Sequence, residues 1–303
     1  MSIKINGKEL KIPIIQGGMG IGVSLGNLAG NVSKTGAMGT ISFVNPGYRE
    51  DDFKNNSFNA NLRAFEKEVK IARNICGKEN LLAVNIMQAA TKSEKYIEFA
   101  GKSDIDAVVV GAGLPLELPK LVGEDKAIAP IISSARAFEL ISRNWKKKYS
   151  RLPDFTIFEG PDAGGHLGFK DINKSFDFWK ELKEILKVRD KYQEIKGSRI
   201  YVFAAGGFAD HKSFKKALKN NADGIQAGTA FLMTNESGFS MDIKRKILEN
   251  SEKMKKENKE SILIIKSPVG MPARAVSTPF LKEVESGRIP SKRCINCLTH
   301  CDP

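Results

Sequence analysis

Short apolar runs alternate with helical patterns along most of this chain, and several of the runs stop at glycine or a small polar residue. The runs cover 11–16, 37–43, 81–87, 106–113, 127–132, 155–158, 200–205 and 224–231. Near-continuous apolar strands separated by amphipathic helices are the pattern of parallel βα units, because such strands are buried on both faces. Eight such units predict a (β/α)8 TIM barrel, an α/β fold, rather than an open sheet. In that fold the active site lies at the C-terminal ends of the strands. The 303 residues suffice for such a domain.

The stretch at those ends that carries most information is Glu159-Gly160-Pro161-Asp162-Ala163-Gly164-Gly165-His166-Leu167-Gly168. Four glycines bare the backbone where an apolar strand ends, so a flat or phosphorylated ligand can approach closely. His166, one of only three histidines, sits among them. A glycine-rich turn around a hydrogen-bonded histidine is the plain alternative. Glu159 is seven positions before His166, and the two can orient one another or a ligand. His166 itself can act as a general base near neutral pH.

Other candidates lie on the same rim. Gly206-Gly207 and Gly228-Thr229 end or interrupt the last two strands, where barrels of this kind hold phosphate. Their backbone N–H groups, with the helix starting near Asp210, would supply the donors. Asn85 and Gln226 are polar residues inside apolar strands. A buried amide needs partners, so each contacts a cofactor or internal water. No nucleophile elbow, Walker loop or zinc-protease motif is present in the sequence.

Composition narrows the class. The net charge is +13, but the lysines are spread along polar helix faces and mixed with acids, without an aromatic-interleaved basic strand. Nucleic acid is therefore not an expected partner. No apolar run reaches the roughly 20 residues of a membrane span, and the first residues lack a signal-peptide core. The expectation is a cytoplasmic protein.

Two domains are expected, a barrel over 1–235 and a C-terminal extension over 236–303. The extension holds a polar helix over 241–256, then a proline- and glycine-rich loop that can cover the barrel mouth as a lid. Residues 45–60 read as an exposed loop. The tail Cys294-Ile295-Asn296-Cys297-Leu298-Thr299-His300-Cys301 offers soft ligands, but they are crowded for one tetrahedral ion. Reduced thiols in a terminal lid are expected there, and no metal is assigned.

Taken together, Ile15-Gln16-Gly17-Gly18-Met19-Gly20, Val84-Asn85-Ile86-Met87, Glu159 to Gly168, Ala204-Ala205-Gly206-Gly207 and Ala222 to Thr229 resemble the nitronate monooxygenase (2-nitropropane dioxygenase) family. Flavin-type enoyl-ACP reductases are its relatives. The resemblance implies FMN across the barrel mouth. Gly18 and Met19 would face its ring, with Asn85, Glu159 and Gln226 as polar contacts and Gly165 beside them. Gly206, Gly207, Gly228 and Thr229 would take the phosphate. His166 would match the base that removes the α-proton of a nitroalkane, with O2 as co-substrate. NAD(P)H as reductant and a homodimer are left open. Ala230 and Ala273 depart from the family's usual Arg and Gly, which touches the substrate rather than the cofactor.

Overall fold

The computed structural model describes residues 2–168, 176–267, 271–287 and 297–299. The chain opens with a hairpin, β1 (Ile3–Ile5) and β2 (Lys8–Leu10), which the sequence reading did not anticipate. The barrel elements follow. They are β3 (Ile14–Gln16), α1 (Gly26–Lys34), β4 (Gly39–Ser42), α2 (Phe53–Cys76), β5 (Leu82–Met87), α3 (Ser93–Gly101) and β6 (Ala107–Gly111). Next come α4 (Leu118–Leu121), β7 (Ala127–Ile132), α5 (Ala135–Tyr149), β8 (Phe155–Glu159) and β9 (Gly165–His166). The last turns are α6 (Phe178–Lys196), β10 (Tyr201–Ala205), α7 (His211–Lys219), β11 (Gly224–Ala227) and α8 (Thr229–Leu232).

Eight of these strands form one parallel sheet in the order β3-β11-β10-β8-β7-β6-β5-β4. The Ile15–Met38 bridge closes it, with the Gln16 N–H donating to the Met38 carbonyl at 2.9 Å. The expected eight-stranded barrel is therefore present. Two apolar layers build it. Ile15, Met38, Ala83, Val109, Phe155, Ile157 and Phe203 fill the barrel interior, and Ile3, Ile5 and Leu10 of the hairpin join that cluster. Val84, Val108, Ile128, Phe158 and Val202 face outward against the helices. Alternate residues of one strand thus belong to different layers, as a period of two requires.

A repeated device fixes the strands at their N-terminal ends. Asp106, Asp154 and Asp223 each stand just before a strand. Their carboxylates accept the backbone N–H of Leu82, Ile128 and Val202 at 2.9, 2.8 and 2.8 Å. Helix starts obey ordinary capping chemistry. The Ser134 hydroxyl accepts from the Ala137 N–H, and Asp210 and Ser213 form a capping box.

Three expectations need correction. Residues 45–60 are not a loop throughout: a 3-10 turn spans Pro46–Arg49 and α2 begins at Phe53, with one non-helical residue at Asn56. Gly228 and Thr229 lie outside the last strand; β11 ends at Ala227, and Gly228 caps α8. The segment from 262 is not a plain loop either. It forms β12 (Ile262–Lys266) and β13 (Pro272–Val276), an antiparallel pair that continues onto β9. The charged helix expected before it is α9 (Met241–Lys256), and α10 (Pro279–Glu285) follows. Cys76 is buried in α2. Among the described residues no helix is long and apolar enough to cross a membrane.

Candidate active site

The strand register puts a polar crown on top of the apolar barrel interior. Glu159 pairs with Ala205, Ala205 with Gln226, and Gln226 with Ile15. Ala205 and Ile15 belong to the interior cluster, so Glu159 and Gln226 face inward at the same level. Asn85 pairs with Val109, another interior residue, and faces the same space from the opposite wall. The Gln226 Nε2 donates weakly to Glu159 Oε1 at 3.4 Å. Burial pushes the Glu159 carboxyl up to about 7, against the lesser opposing effect of that hydrogen bond. The Asn85 amide is 9% exposed and has no hydrogen-bond partner among the described residues.

The exit of β3 is fixed by two fully buried polar side chains that the sequence reading gave no role. Gln16 accepts the Thr40 N–H at 3.0 Å and donates to the Ser24 hydroxyl at 2.8 Å, bridging the seam of the barrel. The Ser24 hydroxyl in turn accepts the Met19 N–H at 3.0 Å, and the Ser24 N–H donates to the Met19 carbonyl at 2.9 Å. Gln16 was findable by the signal that picked out Asn85 and Gln226, an amide in an apolar strand. Gly18 follows within the same turn, packed on Asn85: a Cβ there would lie 2.3 Å from that of Asn85.

At the neighbouring strand ends Gly206 and Gly207 have φ of +106° and +76°, a conformation that favours glycine. A Cβ on Gly206 would meet the Ala163 nitrogen at 2.9 Å. Gly228 is close to Met19, whose sulfur would lie 3.7 Å from an added Cβ. Thr229 is exposed at the first position of α8, where backbone N–H groups have no partner within the helix. The exits of β3, β10 and β11 thus bring Gly18, Met19, Gly206, Gly207, Gly228 and Thr229 to one rim.

His166 is on β9, beyond the Glu159 strand end. No hydrogen bond joins Glu159 and His166 among the described residues. The backbone of β9 is instead paired with β13: Ala273 stands opposite His166, and Arg274 opposite Gly165. The Leu167 N–H donates to the Pro272 carbonyl at 2.7 Å, and the Arg274 guanidinium donates to the Asp162 carbonyl. Gly165 has a φ of +79° and open space where a side chain would be. Burial lowers the His166 pKa, which favours the neutral imidazole.

His166 lines a cavity of about 310 Å³ whose walls include Val44, Phe58, Met87, Tyr96 and Leu298. Phe58 and Tyr96 come from helices α2 and α3, where sequence pattern alone marks them as packing residues. Their rings lie 5.2 Å apart. The Tyr96 hydroxyl accepts from the Asn61 amide at 3.1 Å. Among the described residues no cluster of metal-ligating side chains occurs. Of the cysteine tail only residues 297–299 are described; Cys294, His300 and Cys301 lie outside them.

The chain is similar to several known proteins. A Bacillus subtilis protein named as a probable nitronate monooxygenase is 29% identical over 80% of this chain and 72% of its own length. A counterpart from Staphylococcus saprophyticus is 25% identical over 99% of this chain and 86% of its own. In fold, the chain is similar to FabK from Thermotoga maritima, with a TM-score of 0.69 and 22% identity over 91% of this chain and 75% of that one. It is likewise similar to nitroalkane oxidase from Streptomyces ansochromogenes, at a TM-score of 0.63 and 21% identity over 90% of this chain and 79% of that one. Residues 2–301 match the nitronate monooxygenase family, and the chain belongs to that family of oxidoreductases.

Proposed function

We propose that the protein is an FMN-dependent nitronate monooxygenase that oxidises alkyl nitronates, and their parent nitroalkanes, with O2. The observation that carries this reading is the placement of a neutral-leaning His166 on the wall of an apolar cavity. Family membership and the names of the relatives support it.

The residues present fit FMN. The Asn85 amide, without a hydrogen-bond partner among the described residues, offers hydrogen bonds to a polar ring edge, and Gln226 and Glu159 extend the same crown. The rim at Gly206, Gly207, Gly228 and Thr229 has the bare backbone and first-turn helix N–H groups that a phosphate needs. Gly18 and Met19, held by Ser24, would present backbone to the ring face. When bound, FMN supplies the two-electron acceptor and the site of oxygen reduction.

The chain's own work is acid–base chemistry and positioning. The neutral imidazole of His166 takes the α-proton of a nitroalkane, leaving the electron pair delocalised onto the nitro oxygens as a nitronate. A nitronate supplied as the anion needs no such step. The apolar walls hold the alkyl chain and exclude water.

Anaerobic absorbance spectra of the FMN-loaded protein test this reading. Bleaching of the flavin bands by nitronate or nitroalkane, without bleaching by NADPH, is the expected result. Bleaching by NADPH followed by reoxidation with an enoyl thioester would replace it with an enoyl-thioester reductase.

A further inference from the structure

The C-terminal tail reaches the cavity that contains His166. Leu298 forms an antiparallel bridge with Ala90, and the Thr91 N–H donates to the Cys297 carbonyl at 3.0 Å. The Thr299 N–H and hydroxyl both donate to the Ala89 carbonyl, at 2.9 and 2.7 Å, although the two residues are 210 positions apart. Together these bonds fix the tail's register on the turn after β5. Register decides which side chains face inward. Cys297 and Leu298 line the cavity, as do Ala90 and Thr91, to which they are joined.

The cavity is small and chiefly apolar. Its roughly 310 Å³ lies at the low end of the ~300–1,000 Å³ usual for ligand sites. Such a volume has room for a short alkyl chain beside His166. Phe43 and Val44, which follow β4, and Ile86 and Met87 of β5 supply the inner walls. The tail supplies a wall that does not belong to the barrel.

We propose that Leu298, with Cys297, is the specificity-determining wall of this cavity and sets the length of the alkyl chain accepted beside His166. The inference rests on the nitronate reading for its substrate class. A methylene gained or refused in an apolar pocket is worth roughly 10–200-fold in kcat/KM. Truncating Leu298 therefore shifts selectivity toward longer chains, and enlarging it shifts selectivity toward shorter ones.

The test measures kcat/KM for linear nitronates from ethyl to octyl in the FMN-loaded parent, Leu298→Ala and Leu298→Phe. A second readout is the rate of Cys297 alkylation, localised by peptide mass spectrometry, with and without each parent nitroalkane. The expected result is a rise of about tenfold or more in the long-to-short ratio for Leu298→Ala, and a fall for Leu298→Phe. Nitroalkanes that fit should slow Cys297 alkylation. Turnover of nitronates with unchanged ratios in both variants and no protection of Cys297 would overturn the wall and leave the activity standing. No turnover, but chain-length-dependent protection of Cys297, would keep the wall and remove the nitronate reading. Neither turnover nor protection would remove both.

Discussion

Ala273 lies directly across an antiparallel ladder from His166, so the proposed base is held in place by a strand more than a hundred residues further along the chain. The barrel sets the level of Glu159, but the C-terminal hairpin sets the position of His166. Arg274, next to Ala273, anchors the preceding loop by donating to the Asp162 carbonyl. Arg274→Ala should lower kcat/KM for nitroalkanes by about tenfold. Its melting temperature should change little, because the Arg274 guanidinium also pairs with the exposed Asp162 carboxylate at 3.6 Å, and such an ion pair contributes only about 0–1 kcal/mol. Steady-state kinetics beside a thermal melt would show this; an unchanged kcat/KM would mean that the hairpin does not position the loop.

Gly18→Ala should fail sterically. Its Cβ would overlap that of Asn85 at 2.3 Å, and relieving the overlap would move the β3 exit or the β5 wall. Overpacking of this kind costs about 1–3 kcal/mol. The expected outcome is a lower urea midpoint and a loss of flavin from the purified protein. Adding Asn85→Gly should restore the midpoint, since the two sites are in contact and their effects couple, without restoring full FMN affinity. A Gly18→Ala protein that keeps its flavin would contradict the close packing.

Gly206→Ala tests the phosphate rim. The residue has φ of +106°, and the new Cβ would press on the Ala163 nitrogen at 2.9 Å. FMN affinity should fall by tenfold or more, read by fluorescence titration of the flavin-free protein. Riboflavin, which lacks the phosphate, should bind the parent and the variant nearly alike. An equal loss for both ligands would move the phosphate elsewhere.

The buried carboxyl makes stability depend on pH. Burial raises the Glu159 pKa from 4.5 to about 7, so between those values the folded protein holds a proton that the unfolded chain has released. The stabilisation this gives is complete below pH 4.5 and is lost as pH rises through about 7. At about 1.4 kcal/mol per unit the change is at most about 3–4 kcal/mol, and smaller where solvent reaches the carboxylate from the mouth. Urea unfolding of the flavin-free protein at pH 5 and pH 8 should show the loss, and Glu159→Gln should abolish most of it. A parent and variant with the same pH dependence would assign the effect to other groups.

The barrel is legible in the sequence because parallel strands buried on both faces become continuous apolar runs, as at 82–87 and 107–111. Asn85 and Gln226 stand out against that background, and so does Gln16. The start of α2 is masked by its composition: the Asn-rich stretch carries few apolar residues, and Asn56 breaks the helical geometry with φ of −142° and ψ of 47°. The pairing of β13 with His166 leaves no local trace, because the contact joins distant segments and β12 alternates between exposed and half-buried residues. The meeting of Leu298 with Ala90 is hidden for the same reason.

The most direct test of the central claim compares neutral nitroalkane with its pre-formed nitronate in the parent and in His166→Ala, across pH 5 to 9. Burial lowers the His166 pKa below its ordinary 6.5. The parent's kcat/KM for neutral nitroalkane should therefore rise with pH through an inflection below 6.5 and then level off. His166→Ala should lose about 10²–10⁴-fold with the neutral substrate and far less with the nitronate, and the inflection should disappear. Equal turnover of neutral nitroalkane by both proteins would show that His166 is not the base.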